Sequence, residues 1–236
     1  MRKKKNNKKK GVSTNIIVND TPKSSYAEAI RSIRTNLKFS SVNRDVQTIL
    51  ITSPEPSDGK SFTASNLAVA YAQEGKKVLI VDCDLRRGIQ HKIFSVHIDS
   101  DKGYSNLILD YNEATSVYKY IIKTDIKNVS LLPIGPVPPN PIELLSSDNN
   151  RRVIKDLKRE FDIIIFDCPP VLGLSDALVL TKYSDVNVVV TTFKKTKIEK
   201  LKEVKSDFEK VNSKISGVIL NKVPNTKSSY YYYGYY

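Results

Sequence analysis

Gly59, Lys60 and Ser61 stand side by side between an apolar run and a helical one. Thr48-Ile-Leu-Ile51 reads as a strand, residues 52–59 as turn chemistry, and Lys60 opens a helical pattern reaching about Glu74. Strand, loop and helix in that order make a phosphate-binding loop, whose N–H groups cradle phosphates. In such a loop Lys60 reaches the outer phosphates and the Ser61 hydroxyl ligates magnesium. Ser57, Asp58, Gly59, Lys60, Ser61 and Phe62 are therefore the candidate nucleotide-binding residues. The first glycine of the eight-residue pattern is replaced by Pro54, and a Gly-Lys-Ser tripeptide at a helix start also occurs without any ligand.

Two further segments supply acids. Lys77-Val-Leu-Ile-Val-Asp82-Cys-Asp84 is an apolar strand ending in two carboxylates one residue apart, which the period of two puts on one side of the strand. Phe161-Asp-Ile-Ile-Ile-Phe-Asp167 is a second apolar run delivering an acid at its end. Ligands of open parallel sheets bind outside the carboxyl ends of the strands. Three strand ends thus bring Lys60 with Ser61, Asp82 with Asp84, and Asp167 to one crevice. A single acid at a strand end is ordinary turn chemistry; the set with Gly59-Lys60-Ser61 is better read as a site.

The elements that must position these residues alternate. After a helix from about residue 24, strands are expected near 48–53, 77–82, 128–133, 161–167, 185–192 and 215–221, with helical patterns between most of them. This predicts an α/β fold with a mostly parallel central sheet and helices on both faces. Five prolines in Pro133–Pro141 predict a rigid loop without regular structure. Ile198, Leu201, Val204, Phe208 and Val211 predict an amphipathic helix with a solvated lysine face. Ala27, Ile30, Ile33 and Leu37 give the first helix its apolar stripe, and Glu28, Arg31 and Arg34 follow at intervals of three. Their charges can meet within the helix or across a subunit contact.

Charge and composition set the frame. The chain of 236 residues carries a net charge of +13, but Met1 to Lys10 hold seven Lys or Arg and no acid. Such an arm attracts anionic lipid or nucleic acid without specificity, or simply solubilises. Residues 1–22 are read as a basic disordered arm, 23–224 as one domain, and 225–236 as a flexible tail. No run approaches the roughly 18 apolar residues of a membrane span, so a cytoplasmic protein is expected. Cys83 and Cys168 are read as small buried fillers. Six of the last seven residues are tyrosine, Tyr230, Tyr231, Tyr232, Tyr233, Tyr235 and Tyr236, a cluster suited to sticking, stacking or accepting phosphate.

Together these residues resemble the bacterial tyrosine kinases, in particular the separate cytoplasmic kinase of Gram-positive capsule and exopolysaccharide synthesis. The resemblance runs from about Lys23 to Tyr236. It rests on Glu28-x-x-Arg31-x-x-Arg34, the loop 52–61, Val81-Asp-Cys-Asp-Leu-Arg86, Gly135–Pro141 with Glu143-Leu-Leu145, Ile165-Phe-Asp-Cys-Pro-Pro170 and the terminal tyrosines. Cys83 and Cys168 stand where the family usually has glycine and threonine.

The resemblance implies a P-loop fold and the cofactors ATP and Mg2+. It implies Asp82 as the base toward a tyrosine hydroxyl, with Asp84 assisting. Lys60 would act on the transferred phosphoryl, Ser61, Asp84 and Asp167 on magnesium, and Asn221 on adenine. It also implies a homo-oligomeric ring, an octamer, joined through Glu28, Arg31 and Arg34, each subunit offering its tail tyrosines to a neighbour. A transmembrane polysaccharide co-polymerase adaptor would activate the kinase at the inner face of the membrane, with proteins of polysaccharide synthesis as further substrates and no specific nucleic acid. The competing readings are a chromosome- or septum-positioning ATPase and a nucleotide-binding regulator without transfer chemistry. The positioning ATPases carry a second lysine five residues before the loop lysine, where this chain has Glu55.

Overall fold

The computed structural model describes residues 16–39 and 45–224. The basic run at residues 1–10 and the six terminal tyrosines lie outside the described residues. Seven strands form one sheet: β1 (Thr48–Thr52), β2 (Val78–Asp82), β3 (Ile122–Lys123), β4 (Val129–Leu132), β5 (Ile163–Asp167), β6 (Val186–Thr192) and β7 (Gly217–Asn221). Their spatial order is β3-β4-β2-β5-β1-β6-β7. Every neighbouring pair is parallel except β3 with β4, so the expected mostly parallel sheet is found.

The central strands β1, β2, β5 and β6 are buried along their whole length. Such strands need apolar side chains on both faces, and their near-continuous Ile, Val and Leu supply them. Ile49, Ile51, Ile80 and Ile165 point to one face, covered by α1 (Ile17–Asp20), α2 (Ser25–Phe39) and α3 (Lys60–Ala72). Leu50, Leu79, Val81, Ile164 and Phe166 point to the other. There they meet α5 (Tyr104–Leu109), α7 (Asp148–Glu160), α8 (Asp176–Leu180) and α9 (Ile198–Lys210). Each fully buried Leu, Ile or Val contributes roughly 1.5–3 kcal/mol by leaving water, so both layers hold the sheet rigid beneath the site. The short α4 (Gln90–Ile93) and α6 (Pro141–Ser146) complete the helices.

Four expectations need correction. Residues 16–22 do not belong to a disordered arm: Ile16 and Val18 are buried in the core, and the Val18 N–H donates to Asn66 Oδ1 at 3.1 Å. The proline stretch does not stay irregular to its end. Pro141 starts α6 as its first residue, where the missing N–H has no helical partner to lose. Strand β3 adds to the expected set; two residues in an antiparallel edge carry too little pattern to read. In α9, Val204 and Phe208 are buried as expected, but Ile198 at its start and Val211 just past its end are exposed. The two cysteines are free and buried. Among the described residues no helix is long and apolar enough to cross a membrane.

Candidate active site

Residues 53–59 leave β1 and turn into α3, and each bend is held by a named contact. Gly59 takes φ +100°, and a Cβ there would lie 2.0 Å from Asn221 Nδ2; only glycine combines that backbone with that neighbour. The Asn221 amide is that close because its Nδ2 donates to the Asp58 carbonyl at 2.9 Å. Lys222 Nζ donates to the Ser57 carbonyl at 2.6 Å. Asp58 turns its carboxylate into the protein, accepting from Thr192 Oγ1 at 2.8 Å and from the Glu55 N–H at 3.2 Å. The ends of β6 and β7 therefore clamp the loop from outside. No side chain caps α3, so its first-turn N–H groups and the positive end of its dipole are available to an anion.

A cavity of about 630 Å³ opens at this point. Of the sequence-predicted residues, Ser57, Gly59, Lys60, Ser61, Phe62 and Asp84 line it. Asp82 and Asp167 lie one layer deeper, Asp58 faces away to pin the loop, and Asn221 braces the loop from behind.

The sheet brings the acids together. Asp82 and Asp167 are direct partners in the β2–β5 register. Strand β2 ends at Asp82, so the alternation expected to carry Asp84 stops short of it. Asp84 instead sits in the following turn, accepting the Arg87 N–H at 3.0 Å, and still reaches the site. Lys60 Nζ lies 3.5 Å from Asp84 Oδ2 and 3.9 Å from Asp167 Oδ1. Burial pulls the Lys60 ammonium down, but Asp167, Asp84 and Asp82 together leave it above the ordinary lysine value. Burial, and then the neighbouring Asp167 carboxylate, push Asp82 well above the usual carboxylate range. Two oxygens, Asp82 Oδ1 and Asp167 Oδ1, are buried without a hydrogen-bond partner. Such atoms are costly unless something bound supplies the missing partner.

The donor set fits magnesium. Among the described residues no three His, Cys, Asp or Glu side chains form a closed metal cage. Magnesium does not need one, since it keeps several waters and is shared between one or two carboxylates and substrate phosphates. The Ser61 hydroxyl, Asp84 and Asp167 Oδ1, which accepts no hydrogen bond, are hard oxygen donors of that kind.

Sequence reading missed two groups here. Gln90 is buried between Asp82 and Asp167, and a lone glutamine carries no motif signal. Arg86 Nη2 lies 3.6 Å from the buried Asp176 Oδ1; the Arg belongs to the second motif, but its partner is the first residue of the distant helix α8. The charged triplet of α2 is divided. Arg31 pairs with Glu28 within the helix and donates to the Pro22 carbonyl at 2.8 Å. Arg34 instead reaches across to α3, donating to the Ala70 carbonyl at 2.6 Å and pairing with Glu74 at 2.7 Å.

With this geometry in view, the chain can be set beside known proteins. Residues 46–220 match the family model described as an AAA domain. CapB of Staphylococcus aureus is 37% identical over 97% of this chain and 98% of its own length. YwqD of Bacillus subtilis, named a tyrosine-protein kinase, is 38% identical over 93% of this chain and 91% of its own. Among solved structures, the chimerical protein CapA2B2 superposes with a TM-score of 0.82 at 38% identity, covering 91% of this chain and 92% of that one. The septum site-determining protein MinD of Pyrococcus horikoshii, solved with Mg-ADP, follows at 28% identity and a TM-score of 0.60, over 77% of this chain and 72% of its own. The shared parallel sheet with its phosphate-loop geometry explains the second likeness, and the near-complete coverage by tyrosine kinases the first: the chain belongs to the family of bacterial tyrosine kinases.

Proposed function

We propose that this chain transfers the terminal phosphoryl of ATP to tyrosines of its own C-terminal cluster, Tyr230 to Tyr236, offered by a neighbouring copy. The observation that carries the reading is the meeting of Lys60 with Asp84 and Asp167 at the open N-terminus of α3. A tyrosine hydroxyl has a pKa of about 10 and is a weak nucleophile at neutral pH, so a nearby carboxylate that takes its proton helps. Asp82, at the end of β2 beside Asp167, is assigned that part. Asp84 on the cavity wall orients the incoming hydroxyl. Lys60 and the first turn of α3 neutralise charge on the phosphates, the main task in phosphoryl transfer. Ser61, Asp84 and Asp167 would hold magnesium, which when bound draws charge off the phosphate oxygens. Asn221 is assigned the edge of the adenine subsite, with its loop contact as its second role.

In this reading α2 joins copies into a ring, an octamer, with Glu28 and Arg31 at the contact and Arg34, expected there too, held against α3 instead. A membrane-spanning adaptor of polysaccharide export brings the ring to the inner membrane face and activates it, so that the kinase regulates capsular or extracellular polysaccharide synthesis. The positioning-ATPase reading is disfavoured by Glu55, which pairs with Lys200 where those proteins present a lysine. The test is incubation with Mg-ATP and the adaptor's cytoplasmic segment, followed by mass spectrometry. Phosphate is expected on the terminal tyrosines of the native chain and absent from Lys60→Met; equal labelling of both would overturn the assignment.

A further inference from the structure

Gln90, the first residue of α4, is fully buried at 0% exposure between the two inner acids. Its backbone N–H donates to Asp82 Oδ2 at 3.0 Å. Its side-chain Nε2 donates to Asp167 Oδ2 at 2.7 Å and to the Ser61 carbonyl at 3.1 Å. The Ser65 hydroxyl reaches its Oε1 at 2.7 Å. The amide cannot be turned round, because Asp167 Oδ2 and the Ser61 carbonyl only accept, so the NH2 must face them. Gly88 lets the chain approach this closely; a Cβ there would stand 2.6 Å from Asp82 Oδ2. In consequence each acid has one oxygen held by Gln90 and the other, Oδ1, buried without a hydrogen-bond partner, that of Asp167 with only the Lys60 ammonium near it, at 3.9 Å. An apolar residue would fill the same space, but only a donor decides which oxygen of Asp167 is left over.

We propose that Gln90 is a positioning residue: by holding Oδ2 of both Asp82 and Asp167 it turns their Oδ1 atoms to the site and sets how tightly the site takes magnesium. This rests on the reading of the cavity as a magnesium–nucleotide site. Ile89 and Ile93, on the same short segment, line the cavity, so the residue that fixes the acids also anchors part of the wall.

Gln90→Met keeps the length of the side chain and removes its donor, while the backbone contact to Asp82 stays. The measurement is the rise in melting temperature caused by ADP across a magnesium titration, which needs no catalysis. The magnesium concentration giving half the effect is expected to rise about tenfold, as when an outer partner of a metal ligand is lost. The smaller effect of ADP without magnesium, which depends on Lys60 and the first turn of α3, should not change. A half-effect concentration within about twofold of the native chain, small beside that loss, would overturn the proposal. A variant that keeps the native half-effect concentration and merely melts lower throughout overturns it equally, since Gln90 would then only pack. If the Met variant does not fold, Gln90→Leu makes the same comparison. A native chain with no magnesium response at all would remove the nucleotide-site reading, and this inference with it.

Discussion

At Gly59 two constraints fall on one atom that is not there: a left-handed backbone and an amide nitrogen 2.0 Å from the position of a Cβ. Gly59→Ala is therefore expected to cost about 1–2 kcal/mol for the backbone alone and to push Asn221 off the Asp58 carbonyl. Nucleotide-dependent protection against heating should weaken strongly. Adding Asn221→Ala should relieve the collision but not the backbone strain, so the double variant should recover only part of the loss. Full recovery would show that the clash alone mattered. The same pair shows why a motif is only partly legible: Gly59, Lys60 and Ser61 announce themselves by order, whereas Asn221, more than 150 residues away in sequence, meets them only because β7 ends beside the loop.

The packed helices α2 and α3 give the element scale its clearest test. Arg34 has a side chain only 13% exposed, while that of Glu28 is 66% exposed. Arg34→Ala would leave the Ala70 carbonyl and part of Glu74 unpaired and should lower stability by about 2 kcal/mol, in the range for hydrogen bonds to charged groups. Glu28→Ala should change stability by less than about 1 kcal/mol, as expected for exposed pairs, and show its effect in the size of the assembly. Denaturant titration together with light scattering separates the two. Periodicity made the buried stripe of α2 legible through Ala27, Ile30 and Leu37, and the buried strands through their unbroken apolar runs. It could not say where Arg34 points, because an exposed flank and a neighbouring helix look alike in one dimension. Nor could it find α1, whose four residues are held by Asn66 and core contacts rather than by any pattern of their own.

On the scale of the whole molecule, one sheet carries a phosphate loop, a lysine and three acids to its carboxyl edge, while the proposed acceptors lie at the far end of the chain. Phosphorylation adds nearly two negative charges per tyrosine. A heavily modified tail should be repelled by itself and by a site with Asp84 on its wall and Asp82 and Asp167 beneath it, so neighbouring copies should loosen as labelling proceeds. Transfer between copies is the central claim, and a mixing experiment tests it most directly. One chain keeps its tail but carries Lys60→Met; the other keeps Lys60 but has phenylalanine at Tyr230, Tyr231, Tyr232, Tyr233, Tyr235 and Tyr236. With Mg-ATP and the adaptor's cytoplasmic segment, mass spectrometry of the mixture should find phosphate on the terminal tyrosines of the Lys60→Met chain. Native chain that labels its own tail, beside a mixture that leaves the Lys60→Met tail unlabelled, would contradict the account.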